Sequence, residues 1–154
     1  MYYLVYGSNL NLCEMKEKCP FYKVIGRMFL YNYTLSFKGE ETGFLTIEPK
    51  EGSVVPIGIF KVNKLFIKNL DMYEDYPYLY NKKEIEFKLY GKLVKGLIYI
   101  MNDDFDYAIP NDYYFNCCKV GYNDFNFDDF YLKEALDYTS NKIKSNEITR
   151  NLYL

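Results

Sequence analysis

The sequence predicts a mixed α+β fold, with a small mixed β-barrel or highly curved sheet and surrounding helices. Three observations point there. Strand-like and helix-like segments follow as strand, short helix, several strands, helix, hairpin and two helices, which is not a regular βαβ series. The strand segments are many and short, so a closed or strongly bent sheet buries them best. The 154 residues are 49% apolar and 26% charged, an ordinary globular balance with enough chain for a sizeable core. No linker, internal repeat or shift of composition marks a second domain. Residues 1–154 are therefore expected to form one domain, with 145–154 as a frayed polar tail.

Each element has a local reason. Tyr2 to Tyr6 is aromatic and β-branched and reads as a buried strand. It stops at the turn cluster Gly7-Ser8-Asn9. Asn11-Leu12-Cys13-Glu14 resembles a capping box, which starts a short helix to about Lys18, and Pro20 closes it. Val24 to Phe37 alternates over a long strand region. Phe44 to Ile47 and Val54 to Val62 read as two further strands separated by a turn at Glu51-Gly52-Ser53. Pro56 puts the second of these at an edge or a bulge. Asn63 caps a helix through Leu65, Ile67 and Leu70 to about Tyr73. Glu84 to Leu89 and Leu93 to Met101 pair as a hairpin across Gly91-Lys92. Pro110-Asn111-Asp112 opens a helix to about Val120, and another fits Asp128 to about Ile143.

Composition excludes several functions. Lys+Arg is 19 and Asp+Glu is 21, for a net charge of −2. Such a chain has no electrostatic footprint for nucleic acid or an anionic membrane, and neither is expected as a partner. There is no histidine, which removes Ser–His and Cys–His nucleophile pairs, histidine metal sites and imidazole proton shuttles. No apolar run reaches the length of a membrane span, and Met1 to Gly7 lacks a basic segment of the signal-peptide kind. Cys13, Cys19, Cys117 and Cys118 fit neither a disulfide framework nor a metal signature. Reduced thiols in a cytoplasmic protein, with no metal and no cofactor, are expected. Cys117 and Cys118 fall inside a helix with no charge partner and read as core. Tyr and Phe make the chain 20% aromatic, which codon bias explains as readily as a binding site. The many tyrosines leave a homodimer open.

Three segments could carry chemistry. Tyr6-Gly7-Ser8-Asn9-Leu10 joins a strand to a helix; its amides suit an anion, although any such corner needs Gly and Asn for its dihedrals. Glu74 lies among Tyr73, Tyr76, Tyr78 and Tyr80. Aromatic surroundings and neighbouring Asp75 would raise its pKa toward the range useful for acid–base work, unless both acids sit in a solvated turn. Pro110 to Tyr114 is either a helix start with aromatic core residues or a place where a tyrosine hydroxyl enters a pocket.

Together these segments resemble the γ-glutamylcyclotransferase family. The matching residues are Tyr6-Gly7-Ser8-Asn9-Leu10, Leu70-Asp71-x-x-Glu74, Tyr80 six residues on, Pro110-x-x-x-Tyr114 and Gly121. This cyclotransferase-like superfamily includes the γ-glutamylamine cyclotransferases and the plant avirulence-induced proteins. Cys19-Pro20, Ile47 to Ser53 and Tyr99 to Asn102 look like its small bacterial branch. The resemblance runs from about Tyr2 to about Tyr138. It departs at Asp75 and Asn126, where Gly is usual, and at Asn111, where Ser is usual; Asp and Asn tolerate positive φ.

The resemblance implies a mixed β-barrel with one pocket beside the glycine loop. It implies an enzyme that cleaves a γ-glutamyl amide by cyclisation, a lyase or acyltransferase acting on a small γ-glutamyl substrate and releasing 5-oxoproline. Glu74 would be the general acid and base. Tyr6, Gly7, Ser8, Asn9, Leu10, Tyr80 and Tyr114 would bind substrate. The alternative is a non-catalytic member of the same fold that binds a γ-glutamyl compound or another small molecule.

Overall fold

The computed structural model describes residues 1–154. The strands are β1 (Tyr2–Val5), β2 (Lys23–Gly39), β3 (Phe44–Lys61), β4 (Tyr80–Leu89), β5 (Lys92–Met101) and β6 (Asp106–Tyr107). The helices are α1 (Leu12–Lys18), α2 (Ile67–Tyr73), α3 (Asp112–Asp124) and α4 (Phe130–Leu152). The six strands form one sheet in the order β4-β5-β1-β3-β2-β6. It is an open, strongly curved half-barrel rather than a closed one. Short β1 sits in the middle, antiparallel to β3 and parallel to β5. The chain therefore leaves β1 in the interior of the fold. Side chains such as Phe37, Phe60, Ile98 and Tyr122 belong to one hydrophobic cluster. No helix is long and apolar enough to cross a membrane.

Several expectations need correcting. The two strands expected on either side of Glu51-Gly52-Ser53 are one strand, β3. Its pairing with β2 jumps from Tyr31–Val54 to Tyr33–Pro49, so residues 50–53 bulge out opposite Asn32. Asn32 and Gly52 have φ of 64° and 82°, and the Gly52 N–H donates to Asn32 Oδ1 at 3.1 Å. The turn residues are real, but they bend one strand instead of ending it. Pro56 lies where β3 is paired with β2 alone, which makes that stretch a local edge. The hairpin turns at Tyr90-Gly91, both with positive φ, and β4 starts at Tyr80 because an edge strand tolerates the polar run Asn81 to Glu84. β6 is too short to leave a sequence pattern. α4 runs past the expected Ile143 and on to Leu152, since a polar stretch without Gly or Pro carries no stop signal.

Leu10 fixes the corner after β1. It is fully buried. A Cβ on Gly58 of β3 would come within 2.5 Å of Leu10 Cδ2. A Cβ on Gly121 of α3 would lie 2.5 Å from Asn11 N and 2.7 Å from Leu10 C. Two glycines thus clear the space in which Leu10 is clamped, and α3 extends past Val120 because Gly121 lets it lean on this corner. Asn11 then caps α1, accepting from the N–H groups of Cys13 and Glu14 at 3.1 and 3.4 Å. The Asn11 N–H goes to Ser8 O, so the Glu14 half of a capping box is not made.

On the β2 side, α4 is fastened by two polar contacts. Thr139 Oγ1 accepts from the Phe37 N–H at 2.9 Å. Tyr138 donates at 2.6 Å to Glu48, which also accepts from Ser36 and Tyr107.

Gly121→Ala forces a methyl against main-chain atoms that cannot rotate away. We expect a loss of about 1–3 kcal/mol, the usual cost of overpacking, read as a lower urea midpoint at unchanged slope.

Candidate functional site

The residue after β1 begins the site. Gly7 has φ of −116°, outside the left-handed region, so its torsion does not demand glycine. A Cβ there would meet the Tyr114 hydroxyl at 3.5 Å and Leu45 Cβ at 3.7 Å, ordinary contact distances. What a side chain would take is open space at the cavity floor. Ser8–Leu10 then form a 3₁₀ turn in which the Leu10 and Asn11 N–H groups donate to Gly7 O and Ser8 O. The N–H groups of Ser8 and Asn9 find no acceptor in the protein, and both residues line the cavity. They are free donors.

Glu74 arrives from the exit of α2. Its N–H caps the helix on Leu70 O at 2.9 Å, and Asp75 turns the chain with φ of 48°. Glycine-like geometry is therefore present at Asp75, as it is at Asn126, with φ of 54°. The Glu74 carboxylate meets Asn9, whose Nδ2 donates to Glu74 Oε1 at 3.0 Å and to the Tyr3 hydroxyl at 2.8 Å. Lys18 Nζ donates to Asn9 Oδ1 at 2.7 Å. Burial pushes the Glu74 carboxyl up to about 7, while the Lys18 charge and the Asn9 hydrogen bond hold it down. The exposed neighbour Asp75 is not among the groups that shift it. A carboxyl poised near neutrality can both take and give a proton at physiological pH.

Tyrosines form the walls, and most of their hydrogens are committed. Tyr6 donates to Tyr99 O at 2.5 Å, Tyr99 to Asp71 Oδ1 at 2.6 Å and Tyr80 to Leu45 O at 2.6 Å. Tyr114 differs. Its oxygen accepts from the Leu45 N–H at 3.0 Å, which leaves its hydrogen for a ligand or for the neighbouring Cys118 sulfur. Burial raises the Cys118 thiol far above its usual range, so no thiolate forms there.

The structure brings Tyr6, Gly7, Ser8, Asn9, Glu74, Tyr80 and Tyr114 around one cavity. Leu10 is the exception: its side chain faces the core between Gly58 and Gly121, and its N–H is spent on Gly7 O. The inner cavity holds only about 30 Å³ of open volume and widens past Glu74 into a chamber of about 230 Å³. Lys18, Phe44, Tyr73 and Tyr113 line that chamber. A bound molecule larger than a few atoms must straddle both. Sequence reasoning missed Tyr3, Lys18 and Tyr99. Lys18 carried a weak signal, the Glu14–Lys18 spacing of one helical turn, but nothing in the sequence ties it to Asn9.

Fold and site together define a tyrosine-walled pocket around one carboxyl group on a curved half-barrel. The chain belongs to the family described as Gamma-glutamyl cyclotransferase, AIG2-like, whose model matches residues 3–116. A solved structure described as a gamma-glutamyl cyclotransferase superposes with a TM-score of 0.76 at 21% identity, over 88% of this chain and 85% of that one. An uncharacterized protein from Homo sapiens, loc79017, gives 0.76 at 23% identity, over 87% and 85%. YkqA from Bacillus subtilis gives 0.70 at 15% identity, over 91% of this chain and 54% of that one. These likenesses are of fold. No curated protein sequence matches the chain.

The Glu74 shift has a consequence for stability. A glutamate in the unfolded chain titrates near 4.5, and in the fold at about 7. Between these values the folded state holds the extra proton, so its stability falls as pH rises through this window and is level above it. We expect Glu74→Gln to match wild type below about pH 4.5 and to exceed it above pH 7. The gap should be on the order of 1–3 kcal/mol, reduced from the full value by solvent at the pocket mouth. Thermal melts across pH 4–8 measure it, and a pH-independent difference would contradict the burial of this carboxyl.

Proposed function

We propose that the protein is a cyclotransferase that cleaves a γ-glutamyl amide by attack of the substrate's own α-amine, releasing 5-oxoproline and an amine or amino acid. The observation that carries this reading is the placing of the Glu74 carboxyl, held by Asn9 at 3.0 Å, in one cavity with two unclaimed loop amides; burial, which raises its titration toward neutrality, supports it. Family membership supports it. The absence of histidine from the chain also fits, because the substrate brings its own nucleophile.

The chemistry needs proton handling more than anything else. At neutral pH the α-amine arrives as an ammonium and cannot attack. Glu74 takes one proton from it. The freed nitrogen bonds to the γ-carbonyl carbon, closing a five-membered ring, and the carbonyl oxygen becomes an oxyanion. Glu74 then returns its proton to the departing nitrogen as the carbon–nitrogen bond breaks. The second proton lost by the ring nitrogen ends on the released amine, which leaves as an ammonium, so no net proton is consumed. Ring closure within one bound molecule supplies the proximity, for which effective molarities reach about 10⁵–10⁸ M.

The free N–H groups of Ser8 and Asn9 hold a negative oxygen of the glutamyl group, either its carboxylate or the oxyanion. Tyr114 donates its unspent hydrogen at the wall, while Tyr80, its own hydrogen committed, can only accept. The glutamyl part fills the inner cavity, and the leaving amine lies in the wider chamber, whose rim residues choose it.

Mass spectrometry of 5-oxoproline release from a panel of γ-glutamyl amines and amino acids tests the reading. Wild type should turn over at least one member. Its kcat/KM should rise with pH to a plateau above about 7, because the carboxylate is the active form of the base. Glu74→Gln should lose about 10²–10⁴-fold while still binding. A γ-glutamyl compound without its α-amino group should stabilise the fold and yield no product; release of amine from it would mean a different nucleophile. Stabilisation by γ-glutamyl ligands without any turnover would favour a binding protein instead.

A further inference from the structure

We infer that Lys18 is a positioning residue for Glu74: by donating to Asn9 Oδ1 it locks the Asn9 amide with Nδ2 toward the carboxylate, which leaves one carboxylate oxygen for substrate. The inference rests on the acid–base reading of Glu74. An ammonium has three donors and no acceptor, so it can face only the oxygen of a primary amide. With Lys18 Nζ 2.7 Å from Oδ1, both Nδ2 hydrogens point inward, one to Tyr3 and one to Glu74 Oε1. Without that ammonium the amide could turn over and set Oδ1 against the carboxylate, an acceptor against an acceptor.

The ammonium is itself held. Lys18 ends α1, and its carbonyl accepts from Asn69 Nδ2 of α2 at 3.2 Å. Its side chain is only 12% exposed and its Nζ lies 5.1 Å from the Tyr73 ring centroid. Glu14 approaches it at only 3.9 Å, so the short bond to Asn9 is its main tie. The packing of α1 on α2 therefore sets the carboxylate through Asn9.

Lys18 also acts by charge. The other ionisable groups around Glu74 are Tyr3 of β1, Tyr6 just after it, Tyr80 of β4, Tyr99 of β5 and Tyr114 of α3. Burial keeps all of them protonated and neutral. Asp71 of α2 is paired with Lys82 of β4 at 2.9 Å. Lys18 is the cation that reaches Glu74 and offsets its burial.

Carboxyl-labelled glutamate and NMR titration of the Glu74 signal, assigned with Glu74→Gln, test this without any substrate. Lys18→Met should move the Glu74 titration up by about one pH unit, and Lys18→Arg should restore it. In turnover, the rising limb of kcat/KM should move by the same amount, with activity recovered at higher pH. An unmoved titration in folded Lys18→Met would overturn the inference. If Lys18→Met does not fold, Lys18→Gln, a donor without charge, carries the same test: its Glu74 titration should also rise, and an unmoved one overturns the proposal equally. A titration that moves in a protein making no 5-oxoproline would sink the cyclotransferase reading and leave the Lys18 role standing.

Discussion

The Asn9 amide joins three segments that the sequence keeps apart. Its nitrogen bonds Tyr3 of β1 and Glu74 at the exit of α2, and its oxygen bonds Lys18 at the end of α1. The residue is 2% exposed. A buried primary amide is costly when unsatisfied and rigid when every donor and acceptor is used. Asn9 uses both amide hydrogens and its oxygen, so the strand, helix and helix exit cannot drift without breaking one of these bonds. That joint can form only because Leu10, the next residue, is driven the other way into the core between Gly58 and Gly121. The turn is thus a hinge pin with an apolar foot and a polar head.

The tyrosine walls follow the same logic of committed hydrogen bonds. Tyr6, Tyr80 and Tyr99 donate to carbonyl or carboxylate oxygens from strands and α2, which fixes their rings and lets buried hydroxyls sit in an apolar cavity. Against this closed network stand a few unspent groups: the Ser8 and Asn9 N–H groups, the Tyr114 hydrogen and the second oxygen of Glu74. Polar groups left over in an otherwise saturated interior are stored preference for a ligand. Their donors are aimed before anything binds, which is what makes electrostatic stabilisation effective.

Much of this was legible in the sequence. Asn11, Asn63 and Asn111 announce helix starts; Asn11 caps α1, Asn111 caps α3, and Asn63 caps the 3₁₀ turn Lys64–Phe66 that leads into α2. Alternation and turn residues mark β2, β3 and the β4–β5 hairpin. The ordered motifs from Tyr6 to Gly121 select the family and Glu74. What was hidden has physical causes. Glu51-Gly52-Ser53 looks like a chain reversal but makes a bulge opposite Asn32, because turn chemistry is local and strand continuity is decided by the partner across the ladder. Leu10 shares a motif with Ser8 and Asn9, yet a 3₁₀ turn points its side chain away from theirs. Lys18 reads as a solvated helix end. Only the docking of α1 on α2, a tertiary event, brings its charge to Asn9.

The last helix stands apart from this machinery. Thr139 and Tyr138 fasten α4 to β2 and to Glu48, and none of its residues lines the cavity at Glu74. The family match also ends at residue 116, before α4 begins. Insertions, truncations or a new partner on the far end of α4 would therefore be nearly invisible to the pocket, so this helix is where natural variation can accumulate without retuning the carboxylate.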